Sequence, residues 1–244
     1  MSSGHHLRRI ELLRSEVPSF DQYPFSLPAI RHLDTLELYP SVTFLIGENG
    51  SGKSTLLEAA AVAWGFNPEG GSRNFNFSTR SSHSELYRCI RLVKSPKRPR
   101  DGFFFRAESF FNVATEIEKI GGEIPLAYGD RPLHEQSHGE SFLALVMNRF
   151  HGNGLYILDE PEAALSPQRQ LSVLARMYDL VKQNSQFLIA THSPILMAYP
   201  DAFIYHLTPE GIVRMEYQET EHFRVTRDFL MRPGWMLERV LGEE

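Results

Sequence analysis

Residues 47–54 read Gly-Glu-Asn-Gly-Ser-Gly-Lys-Ser, a complete G-x-x-x-x-G-K-[ST] run. The apolar stretch Val42–Ile46 precedes it and suits a buried strand. The Leu- and Ala-rich run Thr55–Trp64 follows it and reads as a helix. Strand, glycine loop and helix together form the setting in which this spacing grips phosphate. In that setting Gly47, Glu48, Asn49, Gly50, Ser51, Gly52 and Thr55 supply a curled backbone and a helix N-terminus to phosphate oxygens. Lys53 reaches the β- and γ-phosphates, and Ser54 offers a hydroxyl to Mg²⁺.

Three further clusters have residue types suited to the same chemistry. Leu155-Tyr-Ile-Leu-Asp-Glu-Pro161 reads as a strand buried on both faces, with Asp159 and Glu160 emerging at its C-terminal end. Asp159 suits Mg²⁺, a hard cation that prefers oxygen ligands and keeps part of its water. Glu160 beside it suits orienting, or taking a proton from, the water that attacks a γ-phosphate. Ala190-Thr-His-Ser-Pro194 ends the next strand and puts His192 within reach of the same phosphate or water. Gln136-Ser-His-Gly-Glu-Ser141 opens an amphipathic helix. Its Ser137, the backbone N–H at Gly139 and Glu140 at the helix start mark a second anion site. One chain already holds its own phosphate loop, so a second anion site points to a partner's nucleotide.

The elements that must position these clusters alternate strand and helix, which implies a mainly parallel sheet. Leu7–Leu13 and Leu33–Leu38 form an opening β region, joined by the Pro- and aromatic-rich stretch Val17–Pro28. Gly65–Ser84 reads as loops and short strands, and Gly102–Phe105 as an aromatic strand. Helices are expected at Asn112–Ile120, Gly139–Phe150 and Pro167–Val181, the last capped by Ser166. Strand Phe187–Ala190 follows. Phe203–His206 and Ile212–Tyr217 form a hairpin, and two helices, Glu221–Leu230 and Gly234–Leu241, close the tail.

Composition narrows the classes. With 42% hydrophobic residues, 244 residues suffice for one large α/β domain. A net charge of −5 gives no bulk signal for nucleic acid, although the basic turn Lys94–Arg100 is a local candidate. The one cysteine, Cys89, excludes an intramolecular disulfide and a cysteine-built zinc site, and is read as packing. No apolar run approaches a membrane span, and the polar N-terminus lacks a signal-peptide stretch. These features predict a cytoplasmic protein without membrane insertion. No nuclease or protease constellation is present.

In this order, the phosphate loop, the Ser-x-Gly-Glu turn, the Asp-Glu pair and the later His resemble the ABC-type ATPase family. The likeness is strongest to its RecF/SMC-like "predicted ATPase" branch (AAA family ATPases), and it spans nearly the whole chain. The family's Leu-Ser-Gly-Gly-Gln signature corresponds to Gln136–Glu140, with His138 in place of the first Gly. Its dimer-facing loop falls on Ala163-Ala-Leu-Ser166.

The resemblance implies a single domain over residues 1–244. Its fold would be a mainly parallel P-loop sheet with an antiparallel β region, and a helical lobe at about 106–150 would carry the signature. It further implies ATP and Mg²⁺ as cofactors and hydrolysis by Glu160, His192 and Lys53. The metal would be held by Ser54, Asp159 and Glu108, with Glu108 standing where the family carries a Gln. An ATP-dependent homodimer would clamp each nucleotide with the other chain's Ser137 and Gly139. An adenine-stacking aromatic is expected upstream of Gly47; Tyr23 and Phe25 are candidates, with core packing the preferred reading for both. No coiled-coil arm separates loop from signature. The process served could be nucleic-acid-related or defensive. The alternatives are the ATP-binding subunit of a membrane transporter, or a regulatory ATP sensor acting on a partner protein.

Overall fold

The computed structural model describes residues 6–72, 84–110, 115 and 137–242. Six strands form the central sheet in the order β5 (Asp101–Arg106), β6 (Gly154–Asp159), β7 (Gln186–Ala190), β3 (Val42–Ile46), β8 (Phe203–Thr208), β9 (Gly211–Met215). All neighbours are parallel except the β8–β9 hairpin. A separate antiparallel sheet has the order β2 (Thr35–Glu37), β1 (Leu7–Leu12), β4 (Ile90–Lys94). This is the mixed α/β architecture expected from the sequence.

The unbroken apolar strands are explained by two cores, one on each face of the sheet. Successive residues along a strand point to opposite sides. Phe44 and Ile46 therefore pack into one core with Phe103, Phe105, Tyr156, Leu158 and Ile189. Leu45 joins the other with Phe104, Ile157, Leu188 and Ala190. The first core is covered by helices α3 (His138–Ala144), α4 (Pro167–Lys182) and α5 (Pro194–Met197), through Phe142, Val173, Met177 and Leu196. The second is covered by the short α1 (Pro28–Arg31), by α2 (Lys53–Trp64) and by the antiparallel sheet, through Ile30, Leu56, Ala60, Ile10 and Leu36.

Gln186 ties the two sheets together. Its Oε1 accepts from the backbone N–H groups of His6 and Leu7, and its Nε2 donates to the carbonyls of Leu7 and Tyr39. Cys89 is buried, and its Sγ donates to the Glu16 carbonyl.

Several boundaries differ from the sequence reading. The helix after the phosphate loop begins at Lys53, two residues early, because Gly52 in the left-handed region (φ 99°) serves as its N-cap. The expected helix over Gly139–Phe150 is α3 followed by a π turn, Leu145–Arg149, with Phe150 already extended. The tail forms α6 (Glu221–Met231) and α7 (Pro233–Leu241). Apart from helical Thr115, the helix read over Asn112–Ile120 lies outside the described residues, as do residues 123–136. Among the described residues, no helix is long and apolar enough to cross a membrane.

Candidate functional site

β3 delivers Gly47 at the C-terminal edge of the sheet. A side chain is excluded there: φ is +143°, and a Cβ would sit 2.6 Å from the Leu207 carbonyl oxygen on β8. The loop then turns into α2. Leu56 is the first helix residue whose N–H bonds back, to the Gly52 carbonyl. The amides of Lys53, Ser54 and Thr55 thus belong to the first turn, where an α-helix has no internal acceptor. Lys53 is almost fully buried, and its Nζ donates to the carbonyls of Gly47 and Glu48, each at 2.8 Å. Burial lowers its pKa, while Glu160, Asp159 and Glu162 push the other way.

Asp159 is the last residue of β6. The parallel register pairs it with Ala190 of β7, so the two following loops lie side by side. Its Oδ1 accepts from Ser54 Oγ at 3.0 Å. Desolvation pushes its pKa up to about 6; the Ser54 hydrogen bond and the Arg106 guanidinium oppose that rise, while Glu160 and Glu108 add to it. Arg106, at the end of β5, has Nε 3.9 Å from Asp159 Oδ2 and Nη1 2.5 Å from Glu58 Oε2 on α2.

Glu160 follows in the left-handed region (φ 49°, ψ 53°), a conformation that costs a non-glycine residue about 1–3 kcal/mol. Its N–H is tied to the Ala190 carbonyl at 2.9 Å. Its Oε1 lies 3.8 Å from His192 Nε2. His192 is gripped twice more: its N–H donates to Glu162 Oε1 at 2.6 Å, and its Nδ1 is 3.2 Å from His222 Nε2 on α6.

Three cavities border the loop. One of about 490 Å³ includes Gly47, Glu48, Asn49, Glu160, His192, His206 and His222 in its wall. A second, also about 490 Å³, runs along Asn49–Ser51 against Leu207–Glu210. A third, about 430 Å³, is lined by Tyr23, Lys53, Ser54, Thr55, Glu108 and Glu160, among others. Lys53, Ser54, Thr55, Glu108, Asp159, Glu160 and His192 are therefore gathered at one edge of the sheet. Glu108 stands at the mouth with its side chain 89% exposed, 3.8 Å from Arg106.

Tyr23 departs from the core reading. It is 66% exposed, and its hydroxyl lies 3.3 Å from Thr55 Oγ1, whereas Phe25 is buried as expected. Tyr23 stays out because its ring borders the cavity over the first turn of α2.

Ser137, Gly139 and Glu140 stand apart and line none of these cavities. Ser137 caps α3 in a reciprocal box with Glu140: Oγ accepts from the Glu140 N–H at 3.3 Å, and the Ser137 N–H donates to Glu140 Oε2 at 3.0 Å. Arg169 Nη2 holds the other Glu140 oxygen at 3.1 Å. Gly139 presses on the loop after the Asp-Glu pair, where a Cβ would fall 2.2 Å from the Ala164 carbonyl oxygen.

The residues present fit a magnesium nucleotide. Ser54 and Asp159 converge two hard oxygens, beside a buried ammonium and a helix N-terminus. Among the described residues, no group of three or more His, Cys, Asp or Glu side chains forms a metal cage. That agrees with Mg²⁺, which is usually held by one or two carboxylates plus phosphates and water.

The reading from sequence missed His222, His206, Glu162, Arg106 and Glu58. None stands in a recognisable motif. His222 follows the capping Thr220 by two residues, and only the return of the chain after β9 brings it to His192.

Residues 109–198 match the family model described as "AAA domain, putative AbiEii toxin, Type IV TA system", and residues 22–125 match a second AAA domain model. A putative ABC transporter ATP-binding protein of Caldanaerobacter subterraneus subsp. tengcongensis is 30% identical over 166 residues, covering 61% of this chain and 68% of that protein. The phosphate import ATP-binding protein PstB 2 of Streptococcus thermophilus is 28% identical over 185 residues, covering 64% and 71%. Among solved structures, the SMC head domain from Thermotoga maritima aligns at a TM-score of 0.47 with 17% identity, over 86% of this chain and 99% of that one. The chain belongs to the ABC-type P-loop ATPases, enzymes that use ATP and Mg²⁺.

Proposed function

We propose that this ATP hydrolase works as a nucleotide-gated homodimer, a single ABC-type domain whose helical lobe at about 106–150 presents Ser137 and Gly139 to the nucleotide of a second copy. The observation that carries the hydrolytic half is the Ser54 Oγ–Asp159 Oδ1 pair, 3.0 Å apart, with buried Lys53 on one side and Glu160 and His192 on the other. Lys53 is the counter-charge for β- and γ-phosphate oxygens. To reach them it exchanges its bonds to the neutral Gly47 and Glu48 carbonyls for bonds to anionic phosphate oxygens. Ser54 and Asp159 would hold Mg²⁺, with Glu108 at the mouth as a further oxygen. The metal supplies neutralisation of phosphate charge. Glu160 orients the attacking water and takes its proton, and His192 donates to the phosphate or that water.

What supports the dimer is the position of the Ser137 turn. It is held by a reciprocal capping box, packed through Gly139 against the loop after Glu160, and lines none of the three cavities described around its own phosphate loop. Phosphate that bridges two chains is present only with ATP, so association becomes the switch. Glu160→Gln is expected to accumulate as a dimer under saturating Mg·ATP and to be monomeric without it, measured by light scattering on a sizing column. A strictly monomeric Glu160→Gln protein with ATP bound would refute the clamp.

The process served is read as nucleic-acid-related or defensive, a reading supported by the toxin–antitoxin description of the family model over residues 109–198. A second reading, the ATP-binding subunit of a transporter, is favoured by the relatives' names. Co-purification of the Glu160→Gln form with a membrane protein, as against a soluble protein or nucleic acid, separates the two.

A further inference from the structure

The tail helix α6 brings a second histidine to the site, and its role follows from counting protons. His192 Nδ1 and His222 Nε2 are 3.2 Å apart, so one of the two nitrogens carries the hydrogen between them. His192 Nε2 points toward Glu160 Oε1 at 3.8 Å. Both it and His222 Nδ1 are buried without any hydrogen-bond partner among the described residues.

Two neutral arrangements exist. If His192 donates from Nδ1, it turns a bare Nε2 lone pair on the Glu160 carboxylate, and His222 must keep its own hydrogen on Nδ1, a buried donor with nothing to accept it. If His222 donates from Nε2, its orphan Nδ1 is only an unused acceptor, and His192 carries Nε2–H toward the carboxylate. The second arrangement replaces a lone-pair repulsion with an attraction, and turns the N–H that lacks a hydrogen bond toward a carboxylate 3.8 Å away instead of leaving it at His222 Nδ1 with no acceptor near it. We propose that His222 is a positioning residue that donates Nε2–H to His192 Nδ1 and so fixes His192 as the tautomer presenting Nε2–H to the cleft beside Glu160. Its importance for turnover rests on the reading of His192 above, whereas the tautomer itself does not.

The surroundings keep His222 neutral and in place. Burial first, then His192, His206 and Lys53, lower its pKa against the opposing pull of Glu221. The turn that carries it is braced. Thr220 is fully buried and caps α6 by accepting from the Phe223 N–H, while its hydroxyl donates to the Tyr217 carbonyl at 2.8 Å. Tyr217 in turn donates its hydroxyl to the Pro194 carbonyl at 2.9 Å, two residues past His192. The tail is thereby bonded to the loop that carries His192. A correctly oriented N–H, held before charge develops on phosphate, needs no reorganisation during reaction.

The test is ¹⁵N NMR of the histidine rings in the full chain, with steady-state hydrolysis of Mg·ATP alongside. Wild type is expected to show His192 as the Nε2–H tautomer. His222→Phe should shift it to a mixture and lower kcat in proportion to the Nε2–H fraction lost, about two- to fivefold, with KM little changed, since the wrong tautomer presents no donor. His222→Gln keeps an N–H donor and should restore both tautomer and turnover. Nδ1–H at His192 in wild type, or an unchanged tautomer in His222→Phe, would overturn the assignment. A His192→Ala variant with wild-type turnover would instead overturn the role of His192 and leave the tautomer result standing, so the two failures are distinguishable.

Discussion

Strands β5 and β6 carry a carboxylate at each end of the sheet, half-buried Asp101 and buried Asp159, and the two ends treat it oppositely. At the N-terminal end, Asp101 accepts from Arg149 Nη1 at 2.7 Å, Tyr156 hydroxyl at 2.9 Å and the His151 N–H at 3.2 Å. Burial alone would push its pKa up, yet Arg149, Tyr156 and the Gly102 N–H together hold it below the ordinary value. At the C-terminal end, Asp159 has Ser54 and a distant guanidinium, and its pKa rises to about 6. Partners outweigh burial at Asp101, whereas burial prevails at the more deeply buried Asp159. Around Asp159, polar atoms of Arg106, Glu162 and His192 are also buried without partners among the described residues. The closed network holds strands together, and the open one keeps binding capacity for a cation and phosphates.

The largest effect that sharpens this contrast is on stability. Asp101→Ala takes the carboxylate from Arg149 and one acceptor from the Tyr156 hydroxyl, and should cost about 3–5 kcal/mol in urea unfolding. ATP turnover per folded molecule should be unaffected. Because the folded pKa of Asp101 is depressed, its contribution is present above the unfolded value and vanishes as pH falls through the folded one. The gap between wild type and Asp101→Asn should therefore close in acid.

Asp159 has the opposite sign. Its folded pKa lies above the unfolded one, so the associated stability exists at low pH and is lost as pH rises through about 6. In Mg²⁺-free buffer at neutral pH, Asp159→Asn should raise the unfolding free energy by up to about 3 kcal/mol. A loss of stability there would break the contrast. The smallest effect is expected between the two regions. Gly139→Ala drives a methyl into the Ala164 carbonyl and should cost about 1–3 kcal/mol while loosening the contact of α3 with that loop.

Much of this was legible from the sequence, because the readable pieces are local. Val42–Ile46, the glycine loop and the helix after it form one continuous stretch, and Leu155–Asp159 announces a doubly buried strand by its unbroken apolar run. Ser166 with Pro167 marked the start of α4, and the Thr208–Gly211 turn marked the β8–β9 hairpin. The opposition between Asp101 and Asp159 was not legible, since it depends on partners 48 to 105 residues away. Tyr23 was misread because an aromatic among prolines looks the same in sequence whether it faces the core or the cavity. His222 was invisible for a similar reason: a histidine in the first turn of an exposed amphipathic helix carries no spacing that links it to His192.

Glu160, held in a strained turn between Asp159 and His192, is proposed to activate the water that cleaves ATP. The most direct test of that role is phosphate release by Glu160→Gln measured beside ATP binding, in Mg²⁺. Nucleotide affinity should stay within a few-fold of wild type, while turnover falls by about 10²–10⁴-fold, the range set by loss of a general base. Turnover near the wild-type rate with ATP bound would contradict the account.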